Sequence, residues 1–248
     1  MPGPPGAVFA AVIGAAASVA GAIAAVTGFG IGSILTPLIA LHADTKIAVA
    51  AVSVPHVVGT AWRFWRLRHY VERGVFLSFG TASAAGSLVG ALLHAYVSSP
   101  ALTALFGALL MFAGGIGLTG LFEKMRIGPG AAYFAGAASG MLGGLVGNQG
   151  GIRSAAMLGF DIPKESFVAT AAAIALVVDC ARMPIYLAGE GQQIAGLWRI
   201  VAVASGGVLA GTLGGEKILR RVPPLLFRQL VSLLVLSLGL FVFWQLKA

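Results

Sequence analysis

The apolar positions of this chain fall into long blocks instead of alternating with polar ones. Six blocks, at about 45–62, 74–97, 100–121, 163–187, 194–215 and 224–246, each approach or exceed the roughly 20 residues a helix needs to cross a bilayer. Two longer blocks remain: Ala7 to Leu41, interrupted by "TGFGIGS", and Gly130 to Phe160, interrupted by "GNQGGIRS". Each is too long for one simple helix and breaks near its middle, which predicts two helical arms joined at a glycine-rich tip. Pro37 and Pro55 lie inside apolar blocks, where a missing N–H and a bulky ring kink or end a helix.

Composition turns these blocks into a class. With 58% of 248 residues hydrophobic, 10% charged and a mean hydropathy of +0.94, a soluble domain is excluded and an all-α integral membrane protein is expected. The abundant glycine suits helices that pack closely through small residues. The single Cys180 sits in an apolar segment, which rules out a disulfide framework within the chain and reads as a packing residue. A net charge of +8 would suit nucleic acid if it were gathered in one polar domain, but the Lys and Arg residues lie between apolar blocks. They report topology, so no nucleic-acid partner is expected. The first apolar run has no basic residue before it, so it lacks the charged start of a secretory signal and is expected to stay in the mature fold.

The two interrupted blocks align with each other. Ile31 and Ser33 in "GFGIGSIL" match Ile152 and Ser154 in "QGGIRSAA"; then, after a shift of three residues, Lys46 in "TKIAVAA" matches Lys164 in "PKESFVAT". The common order is a broken hairpin, a lysine, an apolar helix, Arg63 or Arg182, and two more helices. The chain therefore reads as a single transmembrane domain, 1–248, made of two repeats, 7–121 and 130–247, joined by a short cytoplasmic link at 122–129.

Basic residues concentrate in cytoplasmic loops. "WRFWRLRHYVER" carries Arg63, Arg66, Arg68 and Arg73, and "GEKILRRVPPLLFR" carries Lys217, Arg220, Arg221 and Arg228, so both are expected inside. The turns "SSP" at 98–100 and "AGEGQQ" at 188–193 have no basic residue and are expected outside, as are both termini. One basic loop follows the second element of its repeat and the other the third. Parallel repeats would leave one of them outside, whereas inverted repeats put both inside. The two hairpins then enter from opposite faces, the layout of many secondary transporters. Non-helical backbone at that depth is tolerated only where it is buried or lines a cavity.

An arginine, Arg153, stands in the second hairpin, and intramembrane charge marks ion or substrate pathways by default. The structural alternative pairs it with a carboxylate or with helix-end carbonyls, yet the nearest acid in sequence, Asp161, is eight residues away. The second arm of each hairpin begins just after the glycines, so free N–H groups and the positive helix end point at the tip, an arrangement that binds anions. Thr27 and Ser33 beside the first tip, and Asn148, Gln149 and Ser154 beside the second, add polar groups. Gly28, Gly30, Gly32, Gly147, Gly150 and Gly151 let backbone approach a ligand closely. One arginine and two helix ends neutralise about one to two charges, so mono- and dianions fit equally.

The hairpins "GFGIGSILTPLIAL" and "GNQGGIRSAAMLGF", together with "KESFVATAAAIALVVDCARMPIYL", resemble the TauE/SafE sulfite exporter family, also called the TSUP anion transporters. The most specific part is Phe167, Val168, Ala169, Thr170, Asp179, Arg182, Pro184 and Tyr186. The family often has a run of glycines in the first tip, where this chain has Gly32-Ser33. The resemblance implies a bacterial inner-membrane transporter of a small sulfur-containing anion such as sulfite, thiosulfate or an organosulfonate. It implies no cofactor and no metal; the bilayer is the other partner, and a homo-oligomer is compatible with it. Transport of another small anion, or a non-transporting membrane assembly factor, is the alternative.

Two further sites are candidates for gating or coupling. Asp179 and Arg182 are three apart on one helical face, close enough to pair. His56 titrates near neutral pH when unperturbed and suits proton coupling, although a lone intramembrane histidine equally serves as an interhelical hydrogen-bonder. His94, near a helix end, has no assigned role. Enzyme signals are poor. No metal-like spacing or nucleotide-binding glycine pattern occurs, and only Ser33 or Ser154 with His56 would make a hydrolase, without the third group that triad logic requires.

Overall fold

A computed structural model describes residues 6–120, 129–148, 150–158, 160, 162–219 and 223–245. Helices account for nearly all of them, and no strand occurs among the described residues. The protein is an all-α integral membrane protein. The first broken hairpin is α1 (Ala7–Thr27) and α2 (Ile31–Ile39), followed by α3 (Thr45–Leu67). A short 3-10 turn, Arg68–Tyr70, leads into one nearly continuous helix: α4 (Arg73–Val75), a π turn at Phe76–Gly80 and α5 (Thr81–His94). Then follow α6 (Ser99–Thr119), the second hairpin α7 (Pro129–Val146) and α8 (Gly150–Leu158), α9 (Lys164–Gly196), α10 (Trp198–Leu219) and α11 (Pro224–Gln245).

Five helical runs have the length and composition to cross a membrane: Ala7–Thr27, Thr45–Tyr70, Arg73–His94, Ser99–Thr119 and Glu165–Gly196. Their outward faces are apolar where a soluble protein would be polar, with Val8 80%, Trp65 64% and Leu77 60% exposed. Such faces suit contact with lipid. Trp62, Trp65 and Tyr70 are exposed near the C-terminal end of α3, and Arg68 stacks 4.2 Å above the Trp65 ring. Tyr96 and Trp198 are exposed at the opposite end, where Arg199 lies 5.5 Å from the Trp198 ring centroid. Aromatic rings at two levels are what membrane–water interfaces favour.

The directions of the packed helices follow from their contacts. At one end of α3 the Glu72 N–H donates to Thr170 Oγ1 of α9 at 2.8 Å; midway His56 meets Asp179; at the other end Lys46 is within electrostatic range of Glu190. Helices α3 and α9 therefore run antiparallel. Helix α1 packs parallel to α10, with Gly14 against Val203 and Gly21 against Val208 and Thr212. Helix α5 packs parallel to α7 in the same manner, Ser83 Oγ donating to the Gly136 carbonyl and His94 Nδ1 lying 2.7 Å from the Leu145 carbonyl. Helices α6 and α11 are antiparallel, with Gly107 at Phe243 and Gly117 at Ser232.

These contacts are close because glycine removes the side chain that would hold backbones apart. A Cβ on Gly140 would overlap the Ser83 carbonyl, whereas one on Gly115 of α6 would have nothing within 4 Å. Gly140→Ala is expected to destabilise the folded protein by about 1–3 kcal/mol, despite alanine's higher helix propensity. Gly115→Ala should be neutral or stabilising. Thermal unfolding in detergent reads the contrast, and equal midpoints would mean that this contact does not limit stability.

Several expected boundaries move. The hairpin breaks are off-centre, because α1 has 21 residues and α2 nine, and α7 has 18 and α8 nine. The hairpin base is closed by Phe9 stacked on His42, with ring centroids 3.6 Å apart. Pro37 and Pro55 end no helix and lie inside α2 and α3. The turn expected at "AGEGQQ" does not exist: α9 continues to Gly196 through residues that lose little in a helix, and the chain turns at Leu197. The basic segment after α3 is also mostly helical, leaving Val71 and Glu72 as the connection, and Arg63 is buried inside α3. Lys217 and Arg228 fall on α10 and α11, and Arg220 and Arg221 lie outside the described residues. Cys180 is exposed and so is not a core packing residue, since it stands one position round α9 from the inward face that carries Asp179, Arg182 and Tyr186.

Candidate functional site

The two hairpin tips meet. A Cβ on Gly32 would lie 2.8 Å from the Gly147 carbonyl oxygen, and one on Gly150 would overlap Phe29. Ser33 Oγ donates to Asn148 Oδ1 at 3.1 Å, and both residues are buried. Each tip turns on left-handed glycine. Gly28 (φ 78°) ends α1 with its N–H on the Ala24 carbonyl, and Gly147 (φ 73°) ends α7 with its N–H on the Gly143 carbonyl. Gly30, at φ 124°, precedes the first turn of α2, whose N–H groups have no partner within the helix.

Arg153, in the first turn of α8, is 0% exposed. Its Nη2 donates to the Gly28 carbonyl at 2.8 Å, which joins the second hairpin to the C-terminal end of α1. This is the helix-end pairing of the structural alternative, but it occupies one nitrogen only. Nε and Nη1 have no hydrogen-bond partner, and neither has the buried Ser154 Oγ on the next residue. Buried polar groups in folded proteins are bonded in the large majority of cases, so orphan donors clustered at one place need a reason.

Of the other expected site residues, Thr27 turns away from this role. Its Oγ1 lies 3.0 Å from the Ile23 carbonyl and 2.9 Å from the Phe29 carbonyl, and accepts the Phe29 N–H at 3.3 Å. A threonine ending a helix satisfies local backbone first, which is why it stabilises the tip without offering a free donor. Gly151 lies in α8 beside Gly150, and Gln149 falls outside the described residues, as does Asp161.

His56, Asp179 and Arg182 form one chain of contacts between α3 and α9. His56 Nδ1 is 2.6 Å from Asp179 Oδ2, Arg182 Nε donates to Asp179 Oδ1 at 3.0 Å, and Arg182 Nη2 lies 2.7 Å from the same oxygen in an ion pair. Arg182 Nη1 donates to the Gly143 carbonyl at 2.7 Å, and the Tyr186 hydroxyl donates to the Gly144 carbonyl. Helix α9 thus grips the last turn of α7 directly behind the second tip, with a cation at the negative helix end. The sequence placed Asp179 and Arg182 together; it did not join His56 to them. Among the described residues no serine hydroxyl is bonded to His56, and Ser33 is engaged with Asn148.

One residue of this region was missed. Arg63 is 3% exposed, its Nη2 donates to Thr60 Oγ1 at 3.1 Å, and its Nε and Nη1 have no partner. It is within electrostatic range of Arg153 and Asp179. The available signal was its place in the repeat opposite Arg182, outweighed by the basic residues that follow it. Among the described residues, the buried guanidinium groups are Arg63, Arg153 and Arg182, and the buried carboxylate is Asp179. The described buried groups of this region therefore carry an excess of two positive charges.

Fold and site together define a multi-pass helical membrane protein with an under-compensated cationic centre where two interrupted helices touch. The family model for the sulfite exporter TauE/SafE matches residues 13–242, and the chain belongs to that family. This is a family of membrane transporters, not of enzymes, and membership implies an anionic substrate. No curated protein and no solved structure matches the chain significantly.

Proposed function

We propose that the protein is a secondary transporter of the bacterial inner membrane that carries a small sulfur-containing anion, such as sulfite, thiosulfate or an organosulfonate. The anion binds near mid-membrane between the hairpin tips. Arg153, the N–H groups that open α2 and α8, Ser33, Asn148, Ser154 and the adjoining glycines Gly28, Gly30, Gly32, Gly150 and Gly151 form the site. The observation that carries this reading is the Arg153 guanidinium, fully buried at the meeting point of both hairpins with one nitrogen bonded and two free. Burial of a charge in that state is unfavourable unless a counter-ion completes it.

The arrangement of the helices supports alternating access as the mechanism. The chain is read as two inverted repeats, 7–121 and 130–247, joined by a link at 122–129, with both termini outside. Three packing relations support inversion. The corresponding helices α3 and α9 are antiparallel, as are α6 and α11, and α1 meets α10 just as α7 meets α5. Rocking of one half against the other would expose the site to each side in turn. His56, Asp179 and Arg182 tie α3 to α9 and to the second tip, which suits them to gating or to coupling with a proton.

The test is flux in proteoliposomes containing the purified protein, with sulfite, thiosulfate, sulfonates, sulfate and chloride offered with and without a pH gradient. Saturable flux of a sulfur anion is the expected result. If no anion moves through folded, correctly oriented protein, the transport reading is overturned.

A further inference from the structure

We infer that Arg63 is a second ligand of the transported anion and makes the site selective for dianions over monoanions of similar size and shape; this rests on the transport reading above. The inference starts from a comparison between two arginines. Aligning the two halves sets Arg63 of α3 opposite Arg182 of α9, and each donates to the residue three positions earlier on its own helix. For Arg182 that residue is Asp179, a carboxylate that takes two of its nitrogens while the Gly143 carbonyl takes the third. For Arg63 it is Thr60, which is neutral and buried. The compensating acid is thus present in one half and replaced by a hydroxyl in the other. Arg63 is left with its charge unmatched and with Nε and Nη1 unbonded.

Its position puts that charge at the tips. One turn earlier on α3, a Cβ on Gly59 would lie 3.3 Å from Ile31 Cδ1, so this part of α3 abuts the first residue of α2. Arg63 also lies within electrostatic range of Arg153. Two like charges brought together inside a protein, each with two unused N–H-bearing nitrogens, are stabilised by an anion shared between them. A monoanion leaves one excess charge buried, whereas a dianion matches both. With Arg153 alone, mono- and dianions fitted equally; with Arg63 added, that equality no longer holds.

Thiosulfate and methanesulfonate test this, being tetrahedral sulfur anions of similar size that carry two charges and one. Their affinities are read in the purified, full-length protein from protection against thermal unfolding and from half-saturation of flux. The wild type should prefer thiosulfate by at least about 30-fold. Arg63→Gln should weaken thiosulfate by roughly 100-fold and methanesulfonate by less than about 5-fold, in line with the large effect of removing one partner of a buried ion pair. Arg63→Lys, which keeps the charge but not the planar set of donors, should fall between the two. A wild type that binds both anions equally overturns the inference without any variant. So does a folded Arg63→Gln or Arg63→Lys protein whose preference is unchanged, or one that loses both anions in the same proportion. If the wild type moves anions and Arg153→Gln does not, yet the thiosulfate preference survives loss of Arg63, the dianion assignment fails and the transport reading stands.

Discussion

Arg153→Gln is expected to lower saturable anion flux by at least about 100-fold while leaving the protein inserted and folded. Glutamine removes the charge and the two free donors that face the junction, together with the bond to the Gly28 carbonyl. Only the bond concerns the folded state by itself, and a hydrogen bond from a charged donor contributes about 1.5–3 kcal/mol. The removal of an uncompensated buried charge works the other way, so the net change in stability should be small. Insertion should become easier, because arginine is among the residues least favourable at the centre of a membrane helix. The measurement pairs flux in proteoliposomes with thermal unfolding in detergent. Unchanged flux would remove Arg153 from the substrate site. Lost flux with a collapsed unfolding midpoint would assign it instead to holding the second hairpin against α1.

Asp179→Asn should be the most destabilising conservative change in the protein, by about 3–5 kcal/mol. The carboxylate accepts the Arg182 Nε–H, forms an ion pair with Arg182 Nη2 and lies against His56, and it is the buried negative charge among the described residues. Without it the excess of two positive charges among the described buried groups becomes three, and Arg182 keeps neutral acceptors alone, the Gly143 carbonyl and the asparagine amide oxygen. Asparagine preserves shape, so the loss reads as charge rather than packing. Combining Asp179→Leu with Arg182→Met should recover at least half of the loss, because a buried ion pair is replaceable by apolar side chains once both charges are gone. Unfolding midpoints of the two variants check this. A double variant no more stable than Asp179→Asn would show that the triad's value lies in its bonds to His56 and α7, not in charge balance.

Much of the architecture was legible because a bilayer imposes simple demands. Length and apolarity alone mark the spans, and the block 100–121 differs by only a residue or two from α6 (Ser99–Thr119). Glycine runs inside over-long blocks marked the broken hairpins, and Arg153 stood out because a cation in such a segment has no cheap place to go. The spans failed where hydropathy and helix propensity disagree. "AGEGQQ" reads as a loop by polarity, yet its residues continue α9; "WRFWRLR" reads as a basic loop, yet it completes α3 and buries Arg63. A helix stops where its backbone is capped or broken, not where the membrane ends.

The sequence by itself determined that this is an all-helical membrane protein, where its two hairpins break, and which family it belongs to. These properties are local in the chain: apolar runs, glycine clusters and motif residues a few positions apart. Only the tertiary structure decided which polar groups share a space. It joined His56 to Asp179 across 123 positions, set the Arg153 guanidinium on the Gly28 carbonyl across 125, and separated the paired Arg182 from the unpaired Arg63. Whether a buried charge is structural or available depends on what stands within about 3 Å of it. That distance is set by how α3, α8 and α9 pack, which no spacing along the chain records.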